Sequence, residues 1–158
     1  MLRRWLPLPR VLLMIAIGAA VLGTRATPRT MGLGPDAVPL GLSLVLLGLL
    51  IVAWALWKLG IGMPGGVETL APALVTRGPY RWIRHPVYAG MTVALVGYAV
   101  AARSWPGVVL TLAVFGPAAI YRASREEAAL ARTFPNDWPA YRSRTGAVLP
   151  RFSRRLPP

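Results

Sequence analysis

The sequence predicts an all-α integral membrane protein with about four transmembrane helices, and three observations carry that reading. Of the 158 residues, 55% are apolar and only 15% are charged. The charges are unmixed, with 18 basic residues against 5 acidic. The basic residues flank long apolar runs instead of interleaving with them. At this length the chain makes about one domain.

A bilayer-spanning helix needs about 20 largely apolar residues, fewer where flanking groups snorkel. Residues 38–57 meet that, and residues 87–102 and 106–121 come close. The first candidate, residues 11–23, is shortened by Arg10, but Trp5 to Leu8 extend it if that arginine snorkels. Arg3, Arg4 and Arg10 before an apolar run also fit a cleavable signal, although no clear A-x-A site follows. Topology is the same either way.

Orientation follows from the Lys/Arg count. With the N-terminus inside, the inner segments hold Arg3, Arg4, Arg10, Lys58, Arg77, Arg81, Arg84 and every arginine from Arg122 onward, while the outer loops hold Arg25, Arg29 and Arg103. The positive-inside rule therefore places both termini in the cytoplasm, with the plasma (inner) membrane as the expected location. Arg142, Arg144, Arg151, Arg154 and Arg155 would lie near anionic headgroups. This charge predicts a lipid bilayer as partner, not nucleic acid. Nothing in the sequence sets the oligomeric state.

With no cysteine, disulfides, thiolate catalysis and zinc–thiolate sites are excluded. One histidine without an acidic cluster nearby in sequence argues against a dedicated metal site. The chain divides into two generic spans over residues 1–60, a connector over 61–86 rich in glycine and proline, and a half over 87–158 with two spans and a basic tail. Pro135 and Pro139 break the chain after the fourth helix and predict an irregular tail.

Polar chemistry concentrates in two places. In residues 75–91, VTRGPYRWIRHPVYAGM, a Gly78-Pro79 turn and two arginines sit directly before an apolar helix. Pro86 suits the first helical position, and His85 is pushed toward extended backbone beside the free amide donors of the third span. That helix mouth favours an anion. Tyr88, one turn on, adds a hydroxyl and an aromatic face. The plain reading makes Arg77, Arg81 and Arg84 topological anchors, and Trp82 and Tyr88 interface aromatics. Gly90, Ala94, Gly97 and Ala101 form a small-residue stripe suited to helix contact. His85 needs a hydrogen-bond partner.

The second place is the extension of the fourth span, residues 121–134. As a helix it aligns Ala123, Glu127, Leu130 and Phe134 on one face, whereas Glu126 falls one turn after Arg122 and is expected to pair with it in solvent. Glu127 is thus expected to point inward, either in a salt bridge to Arg81 or Arg84 or against a cationic or hydroxyl-rich ligand.

The run GPYRWIRHPVYAG, followed about thirty-five residues later by EEAALARTF, a tryptophan–tyrosine stretch and VLPRF, resembles the C-terminal half of the isoprenylcysteine carboxyl methyltransferase family. Phospholipid N-methyltransferases share a looser version. The likeness covers residues 75–152, with the paired motifs RHPxYxG and EExxL as its specific part. It implies S-adenosylmethionine as methyl donor, bound at the cytoplasmic ends of the last two helices by the preceding loop and the tail. A lipophilic acceptor would enter from the bilayer. Carried over by motif, Gly78, Tyr80, His85, Pro86, Tyr88 and Gly90 would line the cofactor, and Glu126 or Glu127 would hold its polar end. Pro135 stands where the family tends to have glycine, and Trp138 where it tends to have tyrosine.

Methyl transfer from a sulfonium is an in-line displacement, so positioning and dehydration can carry catalysis. An acceptor carboxylate needs no base, and Arg81 or Arg84 is the expected catalytic residue that orients it by a bidentate contact. An amine acceptor must lose a proton, for which His85 or a carboxylate is the available base. The competing readings are an NADPH-dependent membrane reductase of the steroid 5α-reductase kind and a non-enzymatic lipid-binding protein.

Overall fold

The computed structural model describes residues 7–60 and 74–151. Arg3, Arg4, most of the glycine-rich connector and the last tail arginines lie outside those residues. The described chain is helical: α1 (Pro7–Ala26), α2 (Ala37–Lys58), a short 3-10 turn (Gly78–Arg81), α3 (Pro86–Ala101), α4 (Trp105–Thr133) and a short α5 (Trp138–Arg144). No strand forms among the described residues, only an isolated bridge between Ile83 and Gly146.

Among the described residues, two helices, α2 and α4, are long and apolar enough to cross a membrane. The α3 helix is apolar but has 16 residues, about 24 Å at 1.5 Å per residue against a hydrocarbon core of about 30 Å. The apolar part of α4 ends near Tyr121, after which the helix runs on as RASREEAALART.

Small residues set the α2–α3 pairing. A Cβ on Gly48 would lie 2.5 Å from the Ala94 nitrogen and the Gly90 oxygen, and one on Gly90 would lie 2.7 Å from the Gly48 oxygen. The two backbones therefore touch, and the partners Gly48–Ala94 and Val52–Gly90 fix an antiparallel register. The helix-contact role of the small-residue stripe is present in this interface.

The α1 helix packs on α4 through Leu13, Ala16, Ala20 and Thr24, all buried at helical spacing. In its first half, α4 widens to a π-turn over Thr111–Phe115, with the Gly116 amide donating to the Thr111 carbonyl. Pro117 explains the widening, because it lacks an N–H and crowds the carbonyl four residues back.

The tail departs from the irregular chain expected. Trp138 starts a short helix with Pro139 in its first turn, where a missing N–H costs nothing, and Trp138 and Tyr141 are buried. Proline here starts a helix instead of preventing one.

Candidate functional site

The site grows from the Gly78–Arg81 turn. Gly78 has φ +62°, a left-handed conformation suited to glycine, and a Cβ there would lie 2.7 Å from Cγ of Lys58. Past the turn, the chain is held extended by the tail. The Gly146 amide donates to the Trp82 carbonyl at 3.1 Å, Arg84 N–H to Gly146 O at 2.8 Å, and His85 N–H to Ala147 O at 2.9 Å. His85 then precedes the first turn of α3, with Pro86 fully buried behind it.

Five of the residues singled out from sequence converge there: Arg84, His85, Tyr88, Glu126 and Glu127. Arg84 Nε donates to Glu127 Oε1 at 2.7 Å, and His85 Nε2 lies 3.2 Å from the same oxygen. Arg142 Nε is 3.7 Å from Glu127 Oε2. The Tyr88 hydroxyl donates to Glu126 Oε1 at 2.6 Å, which also accepts from Arg122 Nε at 3.0 Å. His85 Nδ1 is 3.6 Å from Glu126 Oε2, and the imidazole stacks on the Tyr88 ring with centroids 5.8 Å apart. The anion that a helix mouth attracts is thus supplied twice over by the chain itself.

The expected division between the two glutamates changes in one respect. Glu127 does face inward, with its side chain 16% exposed, and meets Arg84, one of the two arginines considered. Glu126 pairs with Arg122 as expected, yet it is not confined to solvent, because it also meets Tyr88 and His85. Neighbours on a helix diverge by about 100°, and His85 sits between the two directions with one ring nitrogen toward each carboxylate.

Burial works against ionisation of both carboxyls, but their partners prevail. Arg84 and then His85 hold the Glu127 carboxyl below the usual carboxylate range, and His85, Tyr88 and Arg122 do so for Glu126. Burial pushes the Tyr141 phenol up to about 12, so it remains a donor, and it donates to the Tyr80 carbonyl at 2.9 Å.

Other predicted residues lie apart from this cluster. Arg81 is exposed on the 3-10 turn. Gly90 packs against Gly48 and Val52 of α2. Tyr80 is buried and, with Arg84, lines a cavity of about 320 Å³ whose other walls include Leu130, Phe134 and Tyr141. A second cavity of about 350 Å³ lies against Pro79, Trp82 and Ile83, with Ile51 and Trp54 of α2 as its far wall.

Sequence reasoning missed Arg142, Thr145 and Tyr141 as partners of the site. Arg84 Nη1 donates to the Arg142 carbonyl at 3.1 Å and to the Thr145 carbonyl, so one guanidinium ties the tail to Glu127. These partners are about sixty residues away in sequence, and no local pattern announces a carbonyl acceptor.

Fold and cluster together give a helical protein with two helices able to cross a membrane and a polar site at one end of its helices. The sequence model for phospholipid methyltransferases matches residues 37–137, which contain α2, α3, α4 and Arg84, His85, Tyr88, Arg122, Glu126 and Glu127 of the cluster. The chain belongs to that family, which is related to the isoprenylcysteine carboxyl methyltransferases. Its family is one of methyltransferases and places the chain among membrane methyltransferases. No curated protein is similar enough to match the chain.

Proposed function

We propose that the protein transfers a methyl group from S-adenosylmethionine to a lipophilic acceptor at the cytoplasmic membrane surface, with all four long helices in the bilayer and both termini inside. The observation that carries this is the convergence of Glu126, Glu127, His85 and Tyr88 beside a cavity walled by Tyr80, Leu130 and Phe134.

The donor set fits the cofactor. Its ammonium and ribose hydroxyls call for carboxylates, and Glu126, whose side chain is 41% exposed, presents one. Its carboxylate calls for a cation, supplied by Arg122 or Arg142. Its base calls for an apolar, aromatic wall, and about 320 Å³ lies at the lower end of the usual range for small-molecule pockets, about 300–1,000 Å³. When bound, the cofactor supplies a sulfonium-activated methyl group.

The chain's own part is to position, orient and exclude water. Glu127 fixes the His85 ring through Nε2, and Tyr88 supports the same ring from its face. Arg84 anchors the tail over the site. Because its guanidinium is engaged, Arg81 is the arginine still open to an acceptor carboxylate. An amine acceptor would pass its proton to His85 or Glu126.

Ligand binding tests this reading. S-adenosylhomocysteine should raise the melting temperature of the purified full-length protein in proportion to RT ln(1 + [L]/Kd), and NADPH should not. Stabilisation by NADPH alone would replace the methyltransferase with a reductase, and stabilisation by neither would favour a lipid-binding protein.

A further inference from the structure

The opposite end of the helices carries a second group of arginines that methyl transfer does not use. Arg103 follows α3 and Arg29 follows α1, and the two loops are joined by backbone hydrogen bonds. The Arg29 amide donates to Ala102 O at 3.0 Å and the Met31 amide to Arg103 O at 2.8 Å. Trp105 N–H donates to Thr30 Oγ1 at 3.0 Å, and Thr27 Oγ1 and Ser104 Oγ are 2.9 Å apart. This end is a firm clasp, about 24 Å along the 16-residue α3 from His85.

Both arginines occupy conformations that favour glycine. Arg103 has φ +56° and Arg29 has φ +63°. Around Arg103 the amides of Ser104 and Arg103 donate to Ala99 O and Val100 O at 2.8 and 2.9 Å, the pattern of a helix end whose left-handed position is usually glycine. A side chain there is disfavoured by the backbone, yet both positions carry a cation.

The contacts of Arg103 are incomplete. Arg103 Nη1 donates to Leu33 O at 3.2 Å, but its Nε is buried without a hydrogen-bond partner. Among the described residues, neither Arg29 nor Arg103 nor nearby Arg25 has a carboxylate within ion-pair distance, although Asp36 begins α2 at the same end. The C-terminal ends of α1 and α3 attract cations, but they do not satisfy a buried guanidinium N–H. Trp105, 58% exposed, stands beside the pair as an interfacial aromatic would.

We propose that Arg29 and Arg103, with Arg25 adding charge, form a binding site for the phosphate of an anionic phospholipid at the end of the helices remote from the carboxylate cluster. A phosphodiester supplies acceptor oxygens for charge-assisted bonds to both guanidinium groups, and its acyl chains lie along the apolar faces of α1 and α4. This site is independent of the methyltransferase reading.

The test measures melting temperature of the full-length protein in neutral-detergent micelles while dihexanoyl phosphatidylglycerol is titrated in. Dihexanoyl phosphatidylcholine and inorganic phosphate serve as separate arms. Phosphatidylglycerol should stabilise the wild type in a saturable way, and the other two should give less than half of that shift. Arg103→Gly relieves the backbone conformation, so without lipid it should melt at or above the wild-type temperature, yet lose most of the lipid-dependent shift. Arg29→Gln should also lose most of the shift, judged against its own lipid-free value. Arg144→Gln, at the other end, should keep it. The proposal is overturned by no shift in the wild type, by a full shift in both Arg103→Gly and Arg29→Gln, or by loss in Arg144→Gln. An equal shift with inorganic phosphate or phosphatidylcholine also overturns it.

Discussion

Arg84 Nε and Glu127 Oε1 lie 2.7 Å apart, joining residues forty-three positions apart in sequence, and the same guanidinium donates to the carbonyls of Arg142 and Thr145. One side chain therefore couples three segments: the entry to α3, the polar end of α4 and the tail. With side-chain exposures of 10% and 16%, the pair is shielded enough that losing Glu127 strands the Arg84 charge.

Arg84→Gln should destabilise the protein by about 1.5–3 kcal/mol, the range for a hydrogen bond to a charged group, since His85 and Arg142 stay beside Glu127. Arg84→Lys should recover part of this, because lysine keeps the charge but cannot reach Glu127 and the tail carbonyls together. Arg81→Lys should be neutral for stability, since Arg81 is exposed. Denaturant unfolding in micelles measures all three. Limited proteolysis of residues 136–151 should speed up only in the Arg84 variants.

The two glutamates should both matter for S-adenosylhomocysteine. Glu126→Gln should weaken binding by about 1.5–3 kcal/mol, because Glu126 carries the more accessible carboxylate. Glu127→Gln should weaken it comparably by releasing His85 and Arg84. Tyr88→Phe removes a single hydrogen bond to Glu126 and should cost about 0.5–1.5 kcal/mol. Isothermal titration decides the order. No loss at Glu126 would return that residue to the solvent-facing role its spacing from Arg122 suggests.

Helix content and the inward face of Glu127 were legible in the sequence because both rest on local periodicity. Apolar runs marked all four long helices, and the four-residue spacing from Ala123 to Glu127 set the face. His85, Pro86 and Tyr88 were legible for the same reason, since Pro86 fixes where α3 begins. The dual contact of Glu126 was not, because it depends on how α3 meets α4. Nor was the tail helix, where Pro139 reads as a breaker until its position in a first turn is known.

Acid should erase the effect of Glu127→Gln. A carboxyl whose folded pKa lies below its unfolded value of about 4.3 contributes stability above that pH and loses it as pH falls through the folded pKa. The stability gap between wild type and Glu127→Gln should thus be full at neutral pH, hold down to about pH 5, and shrink below about pH 4. Unfolding of both proteins across that range supplies the difference. A gap that widens on acidification would mean the carboxyl is raised, not lowered, by its surroundings.

Backbone contact between α2 and α3 predicts opposite outcomes for two glycines. A Cβ at Gly48 would come within 2.5 Å of the Ala94 nitrogen and the Gly90 oxygen, atoms that move only if the helices separate. Gly48→Ala should therefore cost about 1–3 kcal/mol, the usual penalty for overpacking. It should also weaken cofactor binding, because α3 carries His85 and Tyr88 at its start. Gly18, in the middle of α1, has nothing within 4 Å of its added Cβ. Gly18→Ala should stabilise the protein by up to about 1 kcal/mol, the helix-propensity difference between the two residues, and leave binding unchanged. Melting temperature and S-adenosylhomocysteine affinity, measured on both variants, separate these cases. Equal effects from the two substitutions would mean that α2 and α3 are not in backbone contact.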